Sequence, residues 1–346
     1  MSRSLSSIPL GRILIRPLRA TRALRRYQST TAADAASSLL SRFQGETRTA
    51  TQVLDGNQLQ KLSLTLGRRA LYPGLDVAAR PPPEGTVIPP GYHLVYFTPG
   101  GVEEELGADG TDTSYNAPAP FTRRMWAGGR MRWLGDGAEL RVGDEVREET
   151  RLLSATAKRS RDGGEMVLVE VLKEFYGPRG LALVDERNWI FRPEATIASP
   201  AAEATLCEAV IRGPSTVKDV PQDGAYTLRQ LRWSPTGLFR FSALTFNGHK
   251  IHYDPTWSTT VEGHPACVVH GPINLISMLD YWRDHCAPVS GGRGVREIKY
   301  RAVAPIYAGE TYDVFAEGAA GVGEHRWEML VRKQGRECMK GTILGA

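Results

Sequence analysis

The stretch 244–272 reads Leu244-Thr245-Phe246-Asn247-Gly248-His249-Lys250-Ile251-His252-Tyr253-Asp254-Pro255 and resumes as Val268-Val269-His270-Gly271-Pro272. With His264 between the two runs, it holds four of the seven histidines of the chain within 22 residues. Histidine titrates near neutrality, so such a cluster ahead of a helix start suits proton transfer. Gly271-Pro272 marks that start, since proline in a first helical turn forfeits no hydrogen bond. Ile273, Leu275, Ile276, Leu279 and Trp282 then recur at helical spacing to about His285. Segments 297–303, 311–316, 324–333 and 337–344 read as strands, parted by Ala308-Gly309, the glycines of 318–323 and Gln334-Gly335. One helix followed by an antiparallel meander predicts an α+β unit with the helix on one sheet face.

Working outward, the chain repeats itself. At an offset of 180, Leu64-Thr65-Leu66 lies over Leu244-Thr245-Phe246 and Gly91 over Gly271. Further on the offset is 166: Arg130 matches Arg296, Trp133 falls one place short of Tyr300, and Gly143-Asp144 matches Gly309-Glu310. The first half therefore carries 14 extra residues, placed in the turn-rich segment Thr98–Phe121. A length of 346 residues agrees with two units of the usual size. The strands of the first half are clearest at 165–175 and 181–192, and the Ala-, Pro- and Ser-rich run from Glu194 to Asp223 reads as a linker.

With 41% hydrophobic and 23% charged residues the chain has the material for a core, which excludes a disordered protein. No run approaches the ~18 apolar residues of a membrane-spanning helix. Cys207, Cys267, Cys286 and Cys338 lie far apart without a Cys-x-x-Cys pair, which fits a reducing compartment. The net charge of +5 is local: Arg3, Arg12, Arg16, Arg19, Arg22, Arg25 and Arg26 precede the first acid, Asp34, and without those seven charges the rest carries −2. An arginine- and serine-rich, acid-free start is the mark of a mitochondrial transit peptide. The other reading is a basic arm for nucleic acid, but no aromatic residue precedes Tyr27 to stack on bases.

The histidine stretch resembles the signature of the MaoC-like hotdog-fold enoyl-thioester hydratases, in which an aspartate and a histidine five residues later precede His-Gly at the central helix. Tyr300 to Val314, with Pro305 and Gly309-Glu310, resembles a later family strand. Tyr92-His93-Leu94-Val95-Tyr96-Phe97 and Arg123-Arg124-Met125-Trp126-Ala127-Gly128-Gly129 resemble the amino-terminal halves of fungal mitochondrial type 2 hydroxyacyl-thioester dehydratases and mesaconyl-CoA hydratases. The resemblance spans about residues 50–346 and implies two tandem hotdog domains, a double hotdog, each a central helix packed on an antiparallel sheet. The expected organisation is a transit peptide at 1–28, a degenerate hotdog domain at 50–195, a linker at 196–223 and a catalytic hotdog domain at 224–346.

The implied activity is (3R)-hydroxyacyl-thioester dehydration on acyl-carrier-protein substrates of mitochondrial fatty acid synthesis, in the matrix. The alternatives are a CoA-linked hydratase of a small dicarboxylic acyl-CoA such as mesaconyl-CoA, and a non-catalytic acyl-thioester binding protein or scaffold. No cofactor, metal or nucleic acid is expected, and a homodimer is allowed for. His252 matches the family histidine, while Asn247 stands at the aspartate and His249 at the asparagine that follows it. An amide is no base. Either Asn247 orients His252 or water, or Asp254 or His249 supplies the missing function. Gly271 opens the helix whose free N–H groups and dipole would face an enolate oxygen, and glycine there would let a thioester approach. His270, Pro272 and Tyr253 are the expected substrate contacts.

Other readings stay open: the histidines brace the helix entrance, or His249, His252 and His270 bind a metal, although they lack the same-face pair of zinc motifs. In the first half Gly67 and Tyr72 replace Asn247 and His252, so that half is expected to lack an acid/base. Tyr92, Tyr96, Phe97 and Trp126 read as core before acyl lining. Arg123-Arg124 and Lys158-Arg159 read as solvated surface, or as contacts for phosphopantetheine or an acidic carrier. A reporter fused to residues 1–40 is expected to enter mitochondria, which fluorescence microscopy checks; cytosolic retention removes the organellar assignment.

Overall fold

The computed structural model describes residues 30–135, 137–160, 163–194, 213–222, 227–288, 294–317 and 325–346. The expected transit peptide at 1–28 and Cys207 lie outside them. In the first half run α1 (Ala32–Phe43), β1 (Arg48–Val53), α2 (Gly56–Thr65), the short pair β2 (Ala70–Tyr72) and β3 (Leu75–Asp76), then β4 (Arg123–Trp133), β5 (Glu145–Arg159), β6 (Glu165–Gly177) and β7 (Gly180–Arg192). The second half has β8 (Thr216–Pro221), β9 (Thr227–Arg232), α3 (Pro235–Leu244), α4 (Gly271–Tyr281), β10 (Val295–Ala302), β11 (Thr311–Glu317), β12 (Arg326–Lys333) and β13 (Arg336–Gly345).

Among the described residues eleven strands form one antiparallel sheet in the order β1-β5-β6-β7-β4-β10-β13-β12-β11-β9-β8. Read outward from the β4–β10 seam, the two halves mirror each other, with β8 added at the far edge. Gly143-Asp144 leads into β5 as Gly309-Glu310 leads into β11, so the repeat inferred from spacing is carried by equivalent turns. Two segments enter the body from outside the expected bounds. Helix α1 lies before residue 50, capped by a reciprocal Thr31/Asp34 box, and buries Ala35, Leu39 and Phe43 with Val167, Val169 and Phe191 of the first half. Strand β8 falls within 196–223, so that segment is not linker throughout; it pairs with β9 from Thr216↔Arg232 to Pro221↔Thr227.

The two halves carry unequal helices on their sheets. Helix α4 runs 11 residues and is buried around most of its circumference, with its polar side chains bonded inside. Asn274 Oδ1 accepts from the Tyr312 hydroxyl at 2.7 Å and the Asp280 carboxylate from the Tyr92 hydroxyl at 2.9 Å. At the matching place in the first half, Gly91 is followed by one 3-10 turn, Tyr92–Val95, which packs against α4. Gly91 takes a left-handed φ of 85°, and a Cβ there would lie 2.8 Å from Leu279 Cδ1, so a side chain would strain the turn and push on α4.

At the seam Tyr300 pairs with Gly129 and Arg301 with Gly128. A Cβ on Gly129 would run into the Glu186 carbonyl and lie 2.7 Å from the Tyr300 hydroxyl. Glycine in a strand interior marks such close approach. Gly129→Ala is expected to destabilise the protein by about 1–3 kcal/mol, the usual cost of overpacking, measured as a lower urea midpoint with an unchanged slope.

Candidate active site

Helix α3 stops at Leu244, and Phe246 takes a left-handed φ of 47°, turning the chain back over the sheet. Asn247 Oδ1 accepts the His249 amide at 3.1 Å, an Asx turn that feeds the 3-10 turn Lys250–His252. The Val268 amide then donates to the Ile251 carbonyl at 2.8 Å, so His252 comes to lie beside the strand-like segment leading into α4. Its Nδ1 lies 2.8 Å from the Val268 carbonyl. A carbonyl only accepts, so Nδ1 carries the proton and Nε2 is left as a bare base.

His270, the N-cap of α4, makes no capping bond with its side chain. Its ring stacks on His252 at 3.7 Å between centroids, and its Nε2 lies 2.8 Å from Ser242 Oγ. His249 meets His252 edge-on at 5.3 Å. Burial pushes His252 down to about 4, with His264 adding to the effect against the opposing Val268 bond. Burial, then their imidazole neighbours, hold His249 and His270 well below the ordinary value as well. The site is a cluster of neutral imidazoles, which low polarity tolerates where charges would not be.

These groups open on a cavity of about 1200 Å³ that draws walls from both halves, among them Tyr96, Phe97, Trp126, Trp189 and Arg187 of the first. Asn247, His249, His252, Tyr253, His270, Gly271 and Pro272 all line it. Asp254 does not: its Oδ1 accepts the Trp257 amide at 2.9 Å and caps the next turn. Gly271 lies close under an indole: a Cβ there would lie 3.0 Å from Trp126 Cγ and Cδ1. Trp126 both lines the cavity and packs, stacking on Tyr300 at 6.2 Å. Tyr72 lies off the cavity lining, its hydroxyl donating to the Val87 carbonyl at 3.1 Å. Arg123 and Arg124 are tied to Glu262 and Asp112, each at 2.6 Å, and are not free surface charges.

Sequence reasoning missed Ser242, Arg187 and Asp109, which approach the histidines or the cavity only through tertiary contacts. Asp109 comes 3.5 Å from His249 Nε2. Among the described residues no group of three or more His, Cys, Asp or Glu side chains is arranged to hold a metal ion, and no helix is long and apolar enough to cross a membrane.

A family model described as hydroxyacyl-thioester dehydratase type 2 matches residues 91–308, more than half the chain and all of this site. The chain belongs to that family. It is 31% identical over 236 residues to the mesaconyl-C(4)-CoA hydratase of Chloroflexus aurantiacus, covering 67% of this chain and 76% of that protein. The mitochondrial hydroxyacyl-thioester dehydratase type 2 of Schizosaccharomyces pombe is 26% identical over 241 residues, covering 65% and 76%. The crystal structure of a MaoC-like dehydratase from Phytophthora capsici superposes with a TM-score of 0.58 at 15% identity, over 87% of this chain and 95% of that one. The α+β double hotdog expected from the sequence is the fold, and this type 2 dehydratase relative is a hydro-lyase.

The depressed histidines couple stability to pH. Between an unfolded value near 6.5 and a folded value near 4, the unfolded chain binds a proton at His252 that the folded chain does not. Stability therefore falls as pH drops through that window. Calorimetry from about pH 7 to pH 4.5 should show a falling Tm, and His252→Gln should make the fall shallower.

Proposed function

We propose that the protein interconverts (3R)-3-hydroxyacyl and trans-enoyl thioesters, with acyl-carrier-protein substrates of mitochondrial fatty acid synthesis as its physiological class. The observation that carries this reading is His252, whose Nδ1 is fixed on the Val268 carbonyl and whose Nε2 is left unprotonated beside the amide end of α4. In dehydration the thioester oxygen takes up enolate charge against the Gly271 N–H and the positive end of α4, donors already in place. Nε2 of His252 removes the Cα proton, the electron pair forms the Cα=Cβ bond, and the Cβ–O bond breaks. The same imidazole returns its proton to the departing hydroxyl, releasing water. Asn247 keeps its Oδ1 on the His249 amide, so its Nδ2 is the end that can donate to the β-hydroxyl. Asp254, committed to its cap, takes no part.

The matrix location is supported by the arginine-rich start and by the mitochondrial relative from Schizosaccharomyces pombe. A second reading, a CoA-linked hydratase of a dicarboxylic acyl group, is favoured by the mesaconyl-C(4)-CoA relative. Relative kcat/KM for crotonyl-acyl carrier protein, crotonyl-CoA and mesaconyl-CoA decides between the two.

Hydration of crotonyl-CoA by the mature protein tests the chemistry. His252→Ala should lower kcat by roughly 10²- to 10⁴-fold, the worth of a positioned general base, whereas Tyr72→Phe should retain most of the rate. Equal losses at both positions would mean that the halves share the acid/base work.

A further inference from the structure

The loop 98–121, where the first half carries its extra residues, reaches across and seats on the histidine turn of the second half. The Lys250 amide donates to the Asp109 carbonyl at 2.8 Å and Lys250 Nζ to the Ala108 carbonyl at 2.8 Å. The two backbones touch through glycines: a Cβ on Gly110 would overlap the Gly248 carbonyl, and one on Gly248 would lie 2.6 Å from the Gly110 carbonyl. Asp109 Oδ1 is spent on the loop itself, accepting the Thr111 amide at 3.0 Å and the Thr111 hydroxyl at 2.7 Å. Oδ2 is turned to His249, 3.5 Å from Nε2, a polar contact at the long limit of a hydrogen bond. Facing His249 from other elements are Arg123 and Arg124 on β4, which are paired with Glu262 and Asp112 yet still disfavour a charged ring, together with His252 and His264.

We propose that Asp109, delivered by the first half, fixes the tautomer of His249 so that this second imidazole holds the β-hydroxyl, or the water in the reverse direction, while His252 moves the proton. A carboxylate only accepts, so Nε2–H of His249 faces Asp109 and the Nδ1 lone pair remains on a ring that lines the cavity. That lone pair accepts the hydrogen bond of the hydroxyl throughout. No proton is gained or lost at His249: the Cα proton passes to His252 Nε2 and leaves with the hydroxyl as water. His249 is then a catalytic residue and Asp109 a positioning residue, and the half without an acid/base still supplies a working carboxylate. The inference rests on the hydro-lyase reading of the site.

The test is steady-state hydration of crotonyl-CoA by the full-length mature protein across a pH series. Asp109→Asn should lower kcat by roughly 10- to 100-fold, the range for losing a hydrogen bond to a charged partner, with KM within about twofold. The acid limb of its profile should move to lower pH, because removing the carboxylate removes what favours an imidazolium at His249. His249→Gln should lose a similar rate, and the double variant should be no worse than His249→Gln alone. Wild-type kcat in Asp109→Asn overturns the proposal. So does a loss with an unmoved acid limb, or losses that multiply in the double variant, since either assigns Asp109 to bracing the loop. If the wild type itself fails to hydrate crotonyl-CoA, the hydro-lyase reading falls and takes the proposal with it; if only the variants behave as wild type, the proposal falls alone.

Discussion

The pairing of β4 with β10 is the contact on which the rest of the molecule depends. It needs two strand residues without side chains, Gly128 and Gly129, because the neighbouring backbone and the Tyr300 ring occupy the space that side chains would fill. Once the seam closes, the two half-sheets are continuous and Trp126, near the start of β4, is laid on Gly271 at the start of α4. The cavity then has one wall from each half. A looser seam would leave the amide end of α4 facing water, where its dipole is screened and worth far less to a developing anion.

At the cavity the two halves treat buried polarity differently. In the second, the histidines are kept neutral, so burial costs little and Nε2 of His252 remains a base. In the first, charge is kept and paired. Burial disfavours ionised Asp185, but Arg187, which donates to its Oδ2 at 2.7 Å, and His93 hold it down to about 2. A neutral site beside an anchored ion pair gives the cavity a polarity gradient without an unpaired buried charge.

Much of this was legible in the sequence because period and punctuation agree there. The segments read as strands between 297 and 344 lie within a few residues of β10 to β13, since alternation is interrupted each time by glycine. Helix α4 announced itself through Gly271-Pro272 and a continuous apolar run. Helix α1 did not, because Ala32–Phe43 is rich in alanine and serine, lacks a continuous apolar run and follows directly on the arginine segment. Strand β8 was hidden by a neighbourhood of alanine, proline and serine, and its edge position asks for little hydrophobic signal. At the site, His252 and Asn247 could be aligned by spacing along one turn. Ser242, Arg187 and Asp109 could not, since no local period relates residue 109 to residue 249; only folding brings them together. Gly271 was read from the sequence as room for a thioester; that its missing side chain also makes room for the Trp126 indole could not be read there, because the contact crosses between the halves.

The mirrored sheet also bears on how such a molecule can vary. In an assembly of two identical hotdog chains, every substitution is made twice, so a residue cannot be large on one side of the cavity and absent on the other. Joining the halves in one chain removes that constraint. Here Tyr72 stands where the other half has His252, and one 3-10 turn stands where the other has α4. The space released by the shortened helix belongs to one side only, and a cavity bounded by unlike walls can favour one end-to-end orientation of an elongated ligand over the reverse. Twofold symmetry would make those two orientations equal in energy.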